Sequence, residues 1–212
     1  MSDSNYQKLI YKLDQFIRKY YVNQLIRGAI YFFSIAIAAY LFVIVLEYYG
    51  QFNTAIRTTL FYGFASVNLL VFAKFIAFPL LKLFSIGKKL SHEQAAKIIG
   101  KHFREIQDKL ENVLQLKNTA SFGSQNLLEA SIDQKVSELK PIPFSLAINL
   151  TENKKYFKFL AVPLSTVLLL FLFSPSIITD STSRLVAHQT EFIAKSPFDF
   201  IIENLKLTVF EN

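Results

Sequence analysis

Three long apolar runs dominate the pattern of hydrophobic and polar positions along the chain. The first run has no charged residue from Gly28 to Leu46, and the other two are almost as apolar. About 20 such residues form a helix that crosses a bilayer core of roughly 30 Å. The pattern therefore predicts three transmembrane helices, which we assign to residues 28–49, 58–81 and 157–179.

Two polar residues, Asn68 and Lys74, interrupt the second run. A lysine near the end of a span can extend its aliphatic stem and place its ammonium group among the lipid headgroups. An asparagine in a span can form a hydrogen bond with a neighbouring helix. We expect Lys74 to extend toward the headgroups and Asn68 to form such an interhelical hydrogen bond. The alternative is that both side chains line a pathway for an ion or solute.

Amphipathic segments outside the apolar runs predict a small helical bundle. Within residues 1–27, apolar residues recur every three or four positions, as on one face of a helix: Tyr6, Leu9, Leu13, Phe16 and Tyr20. Within residues 82–156, the spacing of Ser91 and Gln94 predicts a capping box that begins a further helix. Gly100 is expected to end that short helix and to begin the next.

The remaining apolar positions of residues 82–156 predict the core of this bundle, which we call the platform. A last platform helix is expected to begin after Ser124 and to stop before Pro141. The predicted core residues lie on the apolar stripes of these helices: Ile99, Phe103, Ile106, Leu110 and Val113 on the first stripe, and Leu128 and Ile132 on that of the last helix. Four lysines form a predicted basic rim toward anionic headgroups or a protein partner: Lys88, Lys89, Lys97 and Lys101.

The distribution of lysine and arginine predicts the orientation of the chain. The N-terminal 27 residues carry five, and the segment from Lys82 to Lys158 carries 13. The link between the first two runs carries one, and the residues after the third run carry three. Because cytoplasmic loops are enriched in these cations, we place residues 1–27 and 82–156 in the cytoplasm. Residues 50–57 and 180–212 are then extracytoplasmic.

The extracytoplasmic tail is expected to begin a β-rich region. Apolar residues alternate on two short stretches: Phe198, Phe200 and Ile202, then Leu205, Leu207 and Val209. An isolated hairpin is marginal in water, so such strands would need a partner. The predicted fold class is mainly α and integral to the membrane, with three transmembrane helices, a small cytoplasmic helical bundle and a short extracytoplasmic β segment.

The sequence lacks the residue patterns of common catalytic and metal sites. It has no cysteine, so thiolate ligands and thiol nucleophiles are excluded. His92 and Glu93 begin like the zinc protease motif H-E-x-x-H, but Ala96 replaces the second histidine. We therefore expect no enzyme, no cofactor and no metal. The net charge is +7, but eight acidic residues offset the platform cations, so we expect no nucleic-acid partner.

Several segments together resemble the N-terminal region of a family of large, uncharacterised bacterial inner-membrane proteins. The segments are SHEQAAKIIGKHF, DKLENVLQLKN, LLEASIDQKVSELKPIPF, SPSIIT and TEFIAKSPFDFIIEN. The resemblance implies a three-span anchor in the bacterial inner membrane, with a long extracytoplasmic part after the third span. It implies no catalytic residue, and this chain stops where that extracytoplasmic part would begin.

Three functions are compatible with these patterns. The first is a membrane anchor and scaffold, surrounded by the lipid bilayer, that binds protein partners through the cytoplasmic platform and through the β segment. The second is a subunit of a transporter or channel, which needs polar groups such as Asn68 and Lys74 to converge between spans. The third is a membrane-tethered regulator that sequesters a soluble factor, in which case the fragment 82–158 should bind that factor alone.

Replacing Ile106 with Asp should unfold the platform and leave the spans inserted, because a carboxylate would then lie on the apolar stripe without a partner. Limited proteolysis of the chain in membranes measures this as faster cleavage within residues 82–156. Unchanged protease resistance of that segment would contradict a platform core at Ile106.

Overall fold

The computed structural model describes residues 2–84, 86–87, 90–119 and 125–192, with side chains left out at 2–4, 117–119 and 125–130. The α-helices are α1 Ser2–Gly50, α2 Thr54–Phe72, α3 Phe78–Leu83, α4 His92–His102, α5 Gln107–Thr119, α6 Gln125–Leu139, α7 Phe157–Phe173 and α8 Pro175–Val186. A π-helical turn, Ala73–Ala77, joins α2 to α3. Short 3-10 helices lie at Arg104–Ile106, Phe144–Ala147 and Leu150–Tyr156.

Helix α1 is the element on which the others are assembled. Its 49 residues form one continuous helix about 74 Å long. The amphipathic segment predicted at 1–27 and the span predicted at 28–49 are thus a single rod. Platform helices α4 and α6 contact α1, as do the span helices α2, α3 and α7 and the final helix α8.

Three helical stretches of the described chain are long and apolar enough to cross a membrane: Asn5–Gly50, Thr54–Leu83 and Phe144–Phe173. The third predicted span, 157–179, is divided in the structure. Helix α7 ends at Phe173, and Pro175 occupies the first turn of α8. Pro175 accounts for this break, because proline is well tolerated at a helix start and poorly tolerated within a helix.

The predicted fold class is wrong in its β segment. The described residues form helices and turns without a strand. Residues 180–186, expected to begin a β-rich tail, complete α8 instead. Ile177, Ser181 and Leu185 recur every four residues and are buried along one side of α8, which explains why this stretch is helical. The stretch predicted as two strands, 198–209, lies outside the described residues.

The platform packs on the N-terminal half of α1. Its buried cluster joins apolar side chains of α1, α4, α5 and α6 with Phe144 and Ile148 from the connection to α7. The break predicted between two short helices is present, but it lies at Phe103 instead of Gly100, because α4 continues to His102. A Cβ on Gly100 would lie 2.6 Å from Cγ of Gln107, so glycine here allows α5 to approach α4.

The first two spans come into close backbone contact at Gly28. A Cβ at this position would lie 2.0 Å from the carbonyl oxygen of Phe75, which belongs to the π-helical turn. Small residues permit this kind of approach between membrane helices, where van der Waals packing drives association. Gly63 of α2 has no atom within 4 Å of the corresponding position.

Replacing Gly28 with Ala should therefore destabilise the chain by about 1–3 kcal/mol, because the added methyl group separates α1 from the π-helical turn. Replacing Gly63 with Ala should be neutral or stabilising by up to about 1 kcal/mol, since alanine favours helix. Unfolding midpoints of the purified chain in mild detergent measure both changes. Equal shifts in the two variants would contradict a close contact at Gly28.

Candidate functional site

The predicted platform residues are placed around one apolar interior. Five are buried there: Ile99, Ile106, Leu110, Val113 and Ile132. Phe103 is half-buried at the turn between α4 and α5 and packs against the same cluster. The side chain of Leu128 lies outside the described residues. Leu13 and Phe16 of α1 are fully buried in the cluster, so the N-terminal helix forms one wall of the platform core.

Local polar interactions hold the platform helices in place. The predicted capping box at the start of α4 is confirmed: Gln94 N donates to Ser91 Oγ, and Ser91 N donates to Gln94 Oε1, both at 3.1 Å. These bonds satisfy backbone donors that a helix start otherwise leaves unpaired. Tyr21, buried among the core residues, accepts a hydrogen bond at 2.8 Å from the backbone N–H of Leu90.

Polar side chains of α1 also bind the end of the platform. Lys12 Nζ donates to the carbonyl oxygen of Lys140, and its partial burial lowers the pKa of its amine. Lys19 Nζ donates to the carbonyl oxygen of Ser145 at 2.8 Å. Asn153, which is buried, donates from Nδ2 to Oδ1 of Asn23 at 2.6 Å. These bonds fix the chain that leads from the platform into α7.

Two of the four lysines of the predicted basic rim belong to the described residues. Lys97 and Lys101 are exposed on α4 and lie one helical turn apart. Lys88 and Lys89 lie outside the described residues. Two cations side by side on an exposed helix face present a positive surface to a partner or to anionic headgroups.

The two polar residues of the second span, Asn68 and Lys74, do not form a common site. Asn68 is half-buried, and its Nδ2 donates to the carbonyl oxygen of Phe64 at 2.8 Å. This hydrogen bond is within α2, in place of the interhelical bond that we predicted. Lys74 is exposed in the π-helical turn, with Nζ 5.6 Å from the ring centroid of Phe75.

His92 and His102 contact other side chains of the chain. His92 Nε2 lies 2.9 Å from Oδ1 of Asp14, so it links the start of α4 to α1. The ring of His102 contacts the ring of Phe103 edge-on, with centroids 4.7 Å apart. No group of three or more metal-ligating side chains occurs in the part of the chain that the structure describes.

A buried ion pair lies at the end of the spans opposite the platform, which we call the distal end. Arg57 Nε lies 3.1 Å from Oε1 of Glu47, and both side chains are almost completely buried. Arg57 also donates to the carbonyl oxygens of Phe52 at 2.7 Å and Thr190 at 2.9 Å. One guanidinium group thus joins the end of α1, the start of α2 and the segment after α8.

Aromatic contacts surround this ion pair. The ring of His188 stacks on Phe61 with centroids 4.3 Å apart, and its backbone carbonyl accepts a hydrogen bond from Thr58 Oγ1 at 3.3 Å. The Phe192 ring lies 4.9 Å from the guanidinium carbon of Arg57 and 5.8 Å from that of Arg184. Residues 187–192 are therefore held against α2.

The ion pair was not predicted from the sequence, because Arg57 contributed only to the number of cations from which the orientation was inferred. A signal was present. Glu47 is the acidic residue at the end of the first apolar run, and Arg57 is the basic residue in the short link that follows. Opposite charges at the ends of two antiparallel spans can pair across the link, and charges near a membrane are costly unless they pair.

The fold and its two polar ends define a class: a helical protein with three potential membrane spans, a helical platform at one end and a buried ion pair at the other. No family model, curated protein or solved structure matches the chain. The resemblance to large bacterial inner-membrane proteins therefore stays a prediction.

Removing one member of the Glu47–Arg57 pair should cost about 3–5 kcal/mol, because the remaining charge stays buried without its partner. We expect the double variant Glu47→Gln, Arg57→Gln to lose less stability than the sum of the two single variants. Stability is measured by titrating a denaturing detergent into the chain in mild detergent and following the helical circular dichroism signal.

The exposed pair between Lys109 and Glu138 is the matched control, with Nζ 2.5 Å from Oε2. Its removal should cost at most about 1 kcal/mol, because water screens the two charges. If the losses at Glu47 and Arg57 are additive, the two residues do not act as a pair.

Proposed function

We propose that the chain is a non-enzymatic anchor and scaffold of the bacterial inner membrane, with a platform that binds a protein partner on the cytoplasmic side. The observation that carries this proposal is the continuity of α1 from the platform core to the distal end. A rod shared by both regions gives a docked partner a fixed position relative to the membrane.

A second attachment of the platform supports the same role. The chain enters α7 through the 3-10 helix Leu150–Tyr156, and Tyr156 packs against α1 there. Its ring lies 4.9 Å from the guanidinium carbon of Arg27 and 5.4 Å from the ring of Tyr31. The platform is thus attached to the spans on both sides, as a scaffold requires.

The proposed orientation places the platform in the cytoplasm. It rests on the excess of lysine and arginine in the first 27 residues and in the platform segment. In this orientation the exposed cations of the rim, Lys97 and Lys101, are on the cytoplasmic side, where they are available to anionic headgroups or to a soluble partner with an acidic surface. The distal end with Glu47 and Arg57 is then extracytoplasmic.

The position of the polar groups favours a scaffold over a transporter. The amide of Asn68 bonds within its own helix, and Lys74 is exposed beside Phe75. A solute site at mid-membrane needs polar groups from several helices that face one another. The charged pair that does join two spans, Glu47 with Arg57, lies at their ends.

The packing also changes how a sequestering regulator would be tested. The platform core includes Leu13 and Phe16 of α1, both fully buried. The fragment 82–158 lacks these residues and would expose the apolar surface that they cover. Partner binding is therefore best measured on the complete chain.

Reversing the two described rim charges should abolish partner binding while the platform stays folded. We expect a photo-crosslinking amino acid at exposed position Glu105 to give one discrete protein adduct in cells of the native host. The variant Lys97→Glu, Lys101→Glu should lose this adduct, because like charges repel an acidic partner. Denaturing gels of the tagged chain measure the adduct.

The matched control, Lys140→Glu with Lys154→Glu, changes the net charge equally at exposed positions away from the rim. It should keep the adduct. Loss of the adduct in both variants would show that the rim is not the binding surface. Absence of an adduct, together with loss of solute flux on Asn68→Leu, would overturn the scaffold in favour of a transporter subunit.

A further inference from the structure

A polar cavity of about 390 Å³ lies at the distal end, between the end of α1 and one side of α8. The residues that line it combine aromatic, charged and hydroxyl side chains: Tyr48, Tyr49, Gln51, Ser176, Asp180, Ser181 and Arg184. Helix α8 supplies its four lining residues from successive turns. The cavity is distinct from the Glu47–Arg57 ion pair, whose members do not line it.

One lining side chain is a buried hydroxyl group without a partner. Ser181 is 1% exposed, and its Oγ makes no hydrogen bond within the described residues. An unpaired polar atom at a buried site costs free energy unless a ligand or another group satisfies it. A ligand in the cavity would supply that bond.

The opposite wall of the cavity is strained. Gln51, directly after α1, has a φ of +40°, a backbone angle that residues other than glycine rarely adopt. It is the one non-glycine residue with a positive φ in the described ranges. Gln51 lines the cavity together with Tyr48. Such strain persists where the surrounding structure holds a residue in place, often at ligand sites.

The cavity lies at the depth where lipid headgroups meet the spans. It begins where α1 and α7 end, and Tyr49 at its edge is 75% exposed. Exposed tyrosine rings at the end of a transmembrane helix lie among headgroups. The exposed apolar side chains of α7 reach this level at Phe173, which is 81% exposed. A ligand from the membrane surface therefore has direct access.

The charges of the cavity match a zwitterion. Asp180 and Arg184 lie one helical turn apart on α8 and line the same cavity. A phosphate ester is bound well by an arginine, and a primary ammonium group by a carboxylate. In a phosphoethanolamine group these two charges are separated by a short ethylene link.

We propose that the distal cavity binds a phosphoethanolamine headgroup, with the phosphate at Arg184, the ammonium group at Asp180 and a phosphate or ester oxygen at Ser181. The lipid that carries this headgroup is phosphatidylethanolamine. Its acyl chains would extend along the apolar surface of α7. This site does not depend on the proposed scaffold function, and it requires only that the spans cross a bilayer.

Binding is tested by native mass spectrometry of the complete chain, after delipidation in detergent. Equal amounts of phosphatidylethanolamine and phosphatidylglycerol with identical acyl chains are added together. We expect one retained phosphatidylethanolamine per chain, with roughly tenfold weaker retention of phosphatidylglycerol, which lacks the amine. A parallel experiment adds soluble glycerophosphoethanolamine as a competitor of phosphatidylethanolamine. If the soluble compound at equal concentration does not displace the lipid, the site binds the lipid. Complete displacement would mean that the site binds a soluble headgroup instead.

Two variants locate the site. Asp180→Asn should remove the preference between the two lipids, and Arg184→Gln should weaken retention of both by roughly tenfold. Lys158→Gln, an exposed cation near the start of α7, is the matched control and should leave the preference unchanged. The helical circular dichroism signal checks folding of each variant. Equal retention of the two lipids by the native chain, or a preference that survives Asp180→Asn, would overturn the proposal.

Discussion

The packing of α1 against most of the other helices of the described chain is the constraint on which this structure depends. At one end of the helix, Leu13 and Phe16 are fully buried among platform side chains. Toward the other end, Ile44 and Glu47 are fully buried at the distal end. Because one uninterrupted helix carries both sets of contacts, neither region can rotate about the axis of α1 without displacing the other.

The two halves of α1 are stabilised by different forces. In the platform, the burial of apolar stripes from water drives packing, and the polar side chains of Lys19 and Asn23 fix its orientation. Among the spans, apolar side chains remain outward, as at Val162 and Leu172, so hydrophobic burial contributes little there. Close backbone contact at Gly28 and the ion pair at Glu47 hold the helices instead.

Patterns of local origin were predictable, and contacts between distant residues were not. The apolar stripe through Ile106, the capping box at Ser91 and the helix break at Pro175 depend on neighbours within a few residues, and the sequence indicated each. The continuity of α1 was missed because amphipathic and apolar patterns were assigned to separate elements. The helical character of residues 180–186 was missed because their burial depends on α1, more than 100 positions earlier. The Arg57 contact with Thr190 is of the same long-range kind.

The contrast between the two ends carries a functional argument. The platform exposes its cations, Lys97 and Lys101, whereas the distal end buries Arg57 against a carboxylate, two carbonyl oxygens and the ring of Phe192. Exposed charges are suited to reversible docking, and buried charges with many partners are suited to permanent positioning. Residues 187–192 therefore continue from the distal end at a fixed point, which α1 connects rigidly to the platform. A displacement of the platform must consequently move the segment at Phe192 as well.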